Sequence, residues 1–409
     1  MSDLSTITKN QKEIYLDHAA TTYIEKSVLK KMQPYLNEFY GNPSSLYNLG
    51  RKTRSAIENS RKKIAQILHT NSDSIIFTGG GTESDNLAIF GIAEAHKNKG
   101  KHIITSKIEH PAVLSACKKL EKKGFEVTYL PVDKFGFVKI EDVVNKIKSN
   151  TILISIMYAN NEIGTIEPIA DIGREILKWR KKNNTSYPYF HSDACQAAGV
   201  LDLDVEKLHV DLMTLNGSKI YGPKGVGILY KRRGVEIEAM ILGGHQEMGL
   251  RAGTENTAAI VGIADALHKV QKNKTEENER LIKIRNKLWR EITDKIDKVK
   301  LNGPELSDKI GKRLPNNLNL SILDVEGEAL ILYLDEYGVI CSTGSACSSG
   351  SLSPSHVLIS CGLSQEQAHS SLRLTLGKKN SESDIKYIMK ILPPIVEKLR
   401  QISPLNTKV

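Results

Sequence analysis

The stretch that decides the fold is SIIFTGGGTESDNLAIFGIAEAH, residues 74–96. It begins with an apolar run typical of a strand, and a glycine-rich turn then leads into a helix that we predict to start near Thr82. The free N–H groups and the dipole at such a helix start attract anions. We therefore predict that Gly81 and Thr82 hold a phosphate group, although a plain strand–helix turn has the same pattern.

The alternation of strands and helices continues beyond this stretch. Short apolar runs that predict further strands are KHIIT (101–105), EVTYL (126–130), TILISIMY (151–158), YPYFHSD (187–193), DLMTL (211–215) and GILY (227–230). Helical patterns lie between several of them. This alternation predicts an α/β domain with a largely parallel sheet, and ligands of such sheets bind at the carboxyl ends of the strands.

The pattern changes after a charged helix that we predict near residues 265–297. Shorter strand-like runs and a final helix follow, at residues 314–323, 371–377 and 384–400. We therefore expect a large α/β domain over residues 20–264, and a smaller α+β domain formed by residues 1–19 and 265–409.

Composition limits the class of protein. The chain has 409 residues, of which 40% are hydrophobic and 25% charged, as in ordinary globular proteins. Its five widely spaced cysteines do not form a disulfide framework, the N-terminus lacks the apolar core of a secretory signal, and no apolar run approaches the roughly 20 residues of a membrane span. The net charge of +10 comes from lysines scattered among acids, which argues against specific nucleic-acid binding. We expect a cytoplasmic protein.

Two polar side chains follow neighbouring predicted strands. Asp193 ends the run YPYFHSD, where a carboxylate needs donors or a cationic partner. Lys219 lies just past DLMTL, before a Gly/Pro turn. Pyridoxal phosphate enzymes use a lysine that forms a Schiff base and a group that tunes the pyridinium nitrogen. The pair indicates this cofactor, although a lysine in the position of Lys219, taken alone, is more often a surface loop lysine.

Eight motifs resemble those of the NifS/IscS-type cysteine desulfurases, in the same order, from about residue 14 to 403. The motifs are IYLDHAATT (14–22), GGGTESDNLAI (79–89), SKIEHPAV (106–113), NNEIGTIEPI (160–169), HSDACQAAG (191–199), SKIYGPKGVG (218–227), GLRAGTENTAAIVG (249–262) and STGSACSSGSLSPSHVL (342–358). The resemblance implies a fold-type-I pyridoxal phosphate enzyme of the class V aminotransferase group, with a mostly parallel seven-stranded sheet. The implied reaction converts L-cysteine to L-alanine.

The resemblance also implies roles for single residues around the cofactor. Lys219 would carry the cofactor, Asp193 would pair with its ring nitrogen, and Gln196 would bond its ring hydroxyl. His110 would stack on the ring and move protons, whereas a lone histidine before proline is otherwise an ordinary helix-start residue. No metal is implied.

Phosphate and substrate contacts are implied in the same way. The phosphate would be held by Gly81, Thr82 and Ser218, with Thr254 contributed by the other subunit of a homodimer. Asn161 and Arg373 would bind the substrate, and the fork of Arg373 suits a carboxylate. Without the resemblance, Arg373 could equally form a structural ion pair.

Serines and glycines surround Cys347 in CSTGSACSSGS, residues 341–351. In the enzymes that this chain resembles, such a thiolate takes the sulfur of cysteine as a persulfide and passes it to an acceptor, such as an iron–sulfur scaffold or a tRNA-thiolation enzyme. We expect Cys347 to do the same from a flexible loop at about 342–352. A following helix is predicted to start at Ser353–Pro354 and to end at Cys361–Gly362.

The other four cysteines are predicted to pack in the interior, as free cysteines usually do. They are Cys117, Cys195, Cys341 and Cys361. The spacing of six between Cys341 and Cys347 does not fit a zinc or dithiol motif.

Two positions depart from the pattern of the family. Ser218 stands where most relatives have histidine, and Asn216 stands where serine is common, so one ring donor is lost and weaker cofactor binding is expected. The alternatives are a selenocysteine lyase, another class V lyase or aminotransferase that would not need Cys347, and a non-catalytic partner that presents sulfur. Lys219, Asp193 and Arg373 together argue against the last.

Overall fold

The structure is a computed structural model that describes residues 13–344 and 353–402. Cys347 and most of the predicted loop around it lie outside the described residues.

The strands are β1 (Ile14–Tyr15), β2 (Ile75–Thr78), β3 (His102–Ser106), β4 (Glu126–Leu130), β5 (Thr151–Ser155), β6 (Tyr189–Asp193), β7 (Leu212–Asn216), β8 (Gly227–Lys231), β9 (Val299–Leu301), β10 (Asn317–Ile322), β11 (Val339–Ile340) and β12 (Ser371–Thr375). The helices are α1 (Lys26–Met32), α2 (Pro34–Asn37), α3 (Asn48–Ile67), α4 (Gly81–His96), α5 (Pro111–Glu121), α6 (Ile140–Asn145), α7 (Ile169–Lys182), α8 (Val205–Leu208), α9 (Thr257–Lys272), α10 (Lys274–Lys295), α11 (Gly327–Glu336), α12 (His356–Ser360), α13 (Gln365–His369) and α14 (Glu382–Ile402).

Seven strands form the main sheet, in the order β2-β8-β7-β6-β5-β3-β4. The five neighbours from β4 to β7 run parallel, and β8 is antiparallel to both β7 and β2. The central strands β5 and β6 are buried along their whole length, as expected for strands with both faces covered. The prediction of a mostly parallel seven-stranded sheet is confirmed.

Helices cover both faces of this sheet because successive apolar side chains point to opposite sides. Ile75 and Phe77 pack in one hydrophobic cluster, with side chains from α1, α3, α7 and α9. Ile76, between them, packs in a second cluster with side chains from α4 and α5. The two clusters fix the sheet between two helical layers, so that its strand ends meet at one edge.

A three-stranded antiparallel sheet, β12-β10-β9, packs with α10, α11 and α14 around a separate hydrophobic cluster. Ile14 and Leu16 join this cluster, and β1 pairs with β11. The division into domains at residues 19/20 and 264/265 stays a prediction.

Two predicted elements were wrong in detail. The charged helix expected near 265–297 is two helices, α9 and α10, which break at Asn273, where the backbone leaves the helical conformation. Helix α12 begins at His356 and not at Ser353–Pro354, because the hydroxyl of Ser355 caps the N–H of Leu358. Its predicted end is confirmed, with Cys361 as the C-cap and Gly362 left-handed at φ +91°.

Among the described residues, no helix has the length and apolar character that crossing a membrane requires.

Candidate active site

A cavity of about 470 Å³ lies where several strands of the main sheet end. Its lining includes eight of the predicted site residues, which come from distant parts of the chain: Gly81, Thr82, His110, Asn161, Asp193, Gln196, Lys219 and Arg373. Ser218 lines an adjoining cavity that shares Gly81 and Thr82 with the first. Thr254 is exposed and lines neither cavity.

Lys219 ends a short 3-10 turn that directly follows β7. The turn is held by Asn216, whose Oδ1 accepts from the N–H of Ser218 at 3.2 Å, and by Thr22, whose hydroxyl donates to the Ser218 carbonyl at 2.9 Å. The Lys219 ammonium donates to the carbonyl of Ala20. Lys224, the nearest alternative, lines only the adjoining cavity and donates to the Thr22 carbonyl at 3.2 Å. The geometry therefore favours Lys219 as the lysine that meets a ligand in the main cavity.

Asp193 is the last residue of β6 and is 6% exposed. Its Oδ1 accepts from the N–H of Cys195 at 2.9 Å. Gln196 lies beyond it, and its Nε2 donates to the Ala19 carbonyl at 2.9 Å. A buried carboxylate with one backbone donor is suited to a cationic partner in the cavity.

His110 is the N-cap of α5, and its Nδ1 accepts from the N–H of Ala112 at 3.1 Å. Because Nδ1 is an acceptor, the proton of the neutral ring is on Nε2. Burial lowers the pKa of His110 below its ordinary value, Asp193 opposes this, and Lys219 and His356 add to the lowering. His110 is thus a neutral imidazole near pH 7, able to accept a proton.

The start of α4 is shaped for close approach to its backbone. Gly80 has φ +155°, and a Cβ on Gly81 would lie 2.8 Å from the sulfur of Cys195. The side chain of Glu83 accepts from the N–H of Gly79 at 2.9 Å and pairs with Arg251 at 3.0 Å. These contacts fix the turn and leave the first N–H groups of the helix for an anion.

Arg373 lies on β12 and is 2% exposed. Its Nη2 pairs with Asp17 Oδ1 at 2.7 Å, and its Nη1 donates to the Asn161 carbonyl at 3.0 Å. Its Nε is buried and has no hydrogen-bond partner among the described residues. Arg373 thus uses two of its five N–H donors among the described residues, and because it lines the cavity it is a site for an anionic group of a ligand.

Among the cavity residues missed at the sequence level are three with acidic or imidazole side chains: Asp85, Glu162 and His356. Glu162 is 4% exposed and accepts from the Ser355 hydroxyl at 2.5 Å, and burial raises its pKa to about 7 although Arg373 opposes the shift. The Nε2 of His356 lies 3.0 Å from the Glu109 carbonyl. Asp85 lies one helical turn after Gly81, and Glu162 directly follows Asn161, so their spacing to predicted residues was the available signal.

The donor set fits pyridoxal phosphate. The cavity brings together a lysine, a buried aspartate and a neutral histidine, and the helix start that only glycine can form lies beside them. These are an amine for the aldehyde, an anion for the ring nitrogen and an anion site for the phosphate. The four other cysteines, Cys117, Cys195, Cys341 and Cys361, are free and buried, as predicted.

Comparison with known proteins identifies the family. The family model Aminotransferase class-V matches residues 14–388. The chain is 52% identical over 394 residues to the cysteine desulfurase IscS of Clostridium botulinum, which covers 96% of this chain and 97% of that protein. Among solved structures, it is similar to a NifS-like protein, with a TM-score of 0.87, 36% identity and coverage of 95% of this chain and 100% of the other. A structure of SspA in complex with cysteine is also 36% identical, with a TM-score of 0.76 and coverage of 90% and 99%.

The chain belongs to the class V aminotransferase family, among the cysteine desulfurases of the NifS/IscS type. This confirms the predicted resemblance, the fold type I architecture and the dependence on pyridoxal phosphate.

Proposed function

We propose that this protein is a pyridoxal-phosphate-dependent cysteine desulfurase that converts L-cysteine to L-alanine and retains the sulfur as a persulfide on Cys347. The observation that carries the proposal is the single cavity in which Lys219, Asp193, His110 and Arg373 meet. Relatives about half identical over nearly the whole chain, named cysteine desulfurases, support it.

We assign the cofactor to this cavity because of the donor and acceptor groups that line it. Lys219 attaches it, Asp193 faces the ring nitrogen, Gln196 bonds the ring hydroxyl, and Gly81, Thr82 and Ser218 hold the phosphate. When bound, pyridoxal phosphate supplies an electron sink that stabilises negative charge at the α-carbon of an amino acid. The protein contributes orientation and the placement of protons.

The substrate is held by its carboxylate. The buried Arg373 lines the cavity and keeps N–H donors beyond its contacts with Asp17 and Asn161, and Asn161 lies beside it, held through the Nη1 contact to its carbonyl. Asp17 occupies Nη2 and keeps the guanidinium in one orientation. That a similar protein has been solved with cysteine bound supports L-cysteine as the substrate.

His110 accepts and returns the proton that is exchanged during the reaction. Its neutral ring, its fixed tautomer and its place at the start of α5 suit this role. Cys347 then receives the sulfur and delivers it to an acceptor protein for iron–sulfur cluster assembly or tRNA thiolation, in the cytoplasm. The role of Cys347 rests on the sequence motif.

The active form is a homodimer. Large apolar side chains are exposed in two segments of the chain, among them Leu46 at 88% and Leu242 at 83%. Pro43 and Met248 line one groove, so the two segments approach each other at residues 43–44 and 245–248. The loop that carries Thr254 begins at Arg251, which is paired to Glu83 beside the phosphate turn. A second copy would cover this surface, and we assign Thr254 to the phosphate site of that copy.

The test is product formation by the purified holoenzyme. L-Cysteine with a thiol reductant should yield sulfide and L-alanine in equal amounts, and Lys219→Ala should yield neither. Pyruvate and ammonia in place of L-alanine, or transfer of the amino group to a keto acid, would contradict the proposal.

A further inference from the structure

A second carboxyl group shares the cavity with Asp193. Asp85 lies on α4, is 1% exposed and lines the same cavity. Its Oδ1 is buried without a hydrogen-bond partner among the described residues and lies 3.7 Å from Nε2 of His191. Such a group is costly unless it has a task or a bound partner. The proposed roles of the other residues do not use it.

A buried chain of hydrogen bonds that crosses three strands lies beside Asp85. Ser155 on β5 lies 2.8 Å from His191 Nδ1, and His191 Nε2 lies 3.1 Å from the hydroxyl of Thr214 on β7. Both nitrogens of the His191 ring are thus engaged by hydroxyl groups, and Asp85 Oδ1, 3.7 Å from Nε2, gains no hydrogen bond from the ring.

This chain brings no positive charge to Asp85. His191 is completely buried, and burial lowers its pKa to about 4, so its ring is neutral at pH 7. The other titratable groups that face Asp85 are Asp193, Glu109 and Cys195. Burial, then the charge of Asp193 and then that of Glu109 raise the pKa of Asp85 well above its ordinary value. Burial also raises the pKa of Glu109 to about 8.

The neutral His191 and the buried carboxyl groups limit how many negative charges the site can hold. A protonated ring nitrogen supplies one positive charge, and one ionised carboxylate balances it. A second ionised carboxylate in the same buried space would remain uncompensated, which proteins avoid by protonation.

We propose that Asp85 is a positioning residue that stays protonated at the ring-nitrogen end of the cofactor site and leaves Asp193 as the single facing anion. The inference rests on the proposed cofactor site. Protonated Asp85 carries one O–H, and because Asp85 lines the cavity this O–H is a donor for a group bound there.

Infrared difference spectroscopy of the holoenzyme at pH 7.5 tests the proposal. Subtracting the spectrum of Asp85→Asn from that of the wild type should leave the carbonyl-stretch band of one protonated carboxylic acid. The matched control is Asp204→Asn, because Asp204 is also buried but caps α8 and has a lowered pKa. This control should show no such band in the same subtraction. The absence of the band for Asp85→Asn would overturn the proposal.

The visible absorption of the bound cofactor gives a second readout. If Asp85 is neutral, Asp85→Asn should leave the pH midpoint of this absorption within about 0.3 units, since no charge changes. Asp85→Leu, which cannot donate, should weaken cofactor binding by about tenfold or more. A midpoint shift of one unit or more in Asp85→Asn, or undiminished binding in Asp85→Leu, would refute the role. The infrared band reports on Asp85 whether or not the protein consumes cysteine, so failure here is distinct from failure of the proposed function.

Discussion

Arg373→Lys is the substitution that most directly tests how the substrate is held. The arginine makes two contacts within the protein, Nη2 with Asp17 at 2.7 Å and Nη1 with the Asn161 carbonyl at 3.0 Å, and its Nε is unmet. Lysine keeps a positive charge for Asp17, so its half-buried carboxylate is not left without a partner. It loses the planar fork and with it the donor assigned to the substrate carboxylate.

The size of the effect follows from that single lost donor. A hydrogen bond to a charged group contributes about 1.5–3 kcal/mol, which corresponds to roughly 10- to 150-fold in binding. The carboxylate is held equally before and during the chemical step, so the loss should raise KM for L-cysteine and change kcat little.

Sulfide release measured over a range of L-cysteine concentrations gives both constants, and titration of the cofactor absorption with L-alanine gives a binding constant without turnover. Cysteamine, which has the thiol and amine but no carboxylate, is the control and should bind Arg373→Lys as it binds the wild type. A kcat/KM for L-cysteine within about threefold of wild type, with an unchanged melting temperature, would show that Arg373 serves only its ion pair with Asp17.

Three further predictions follow from the same site. Lys219→Ala should abolish the visible band of the bound cofactor and Lys224→Ala should retain it; the reverse would mean that the wrong lysine was assigned. Burial raises the pKa of Glu162 from 4.5 to about 7, so the folded state holds a proton that the unfolded chain releases, and wild-type stability should fall as pH rises between these values. Denaturant unfolding should therefore show the stability gap between wild type and Glu162→Gln changing by about 3 kcal/mol across that range, and a constant gap would argue against this protonation. Ser218→His should restore a ring donor at the phosphate and tighten cofactor binding by about threefold to tenfold, measured by fluorescence on reconstitution; unchanged binding would show that Ser218 does not meet the phosphate.

The strands could be predicted from the sequence because the strands of a covered sheet are continuous apolar runs. TILIS and YFHSD are buried at every position, and no other local structure competes for them. The break at Asn273 was missed because charged residues continue across it, from Lys269 and Lys272 at the end of α9 into Lys274 and Glu276 at the start of α10. The start of α12 depended on which serine caps the helix, and adjacent serines offer the same local signal.

The identities of the site residues could mostly be predicted from the motifs, but their positions relative to one another could not. Asp17 and Arg373 lie 356 residues apart in the chain and meet only because β12 passes the N-terminal segment. Asp85 was missed for a different reason: a carboxylate inside a helix usually faces solvent, and only the packing of α4 against the sheet buries it. The burial of Asp85 and its raised pKa therefore could not be predicted from the sequence, because both depend on the folded chain.

The central claim is that sulfur passes from L-cysteine to Cys347, and mass analysis after a single turnover tests it most directly. Holoenzyme mixed with one equivalent of L-cysteine, without reductant, should yield L-alanine and a peptide containing Cys347 that is heavier by one sulfur atom. Cys347→Ala should keep the visible band of the cofactor, carry no added sulfur and release no sulfide. Added sulfur on Cys195 or another cysteine, or equal sulfide release from both proteins, would contradict the claim.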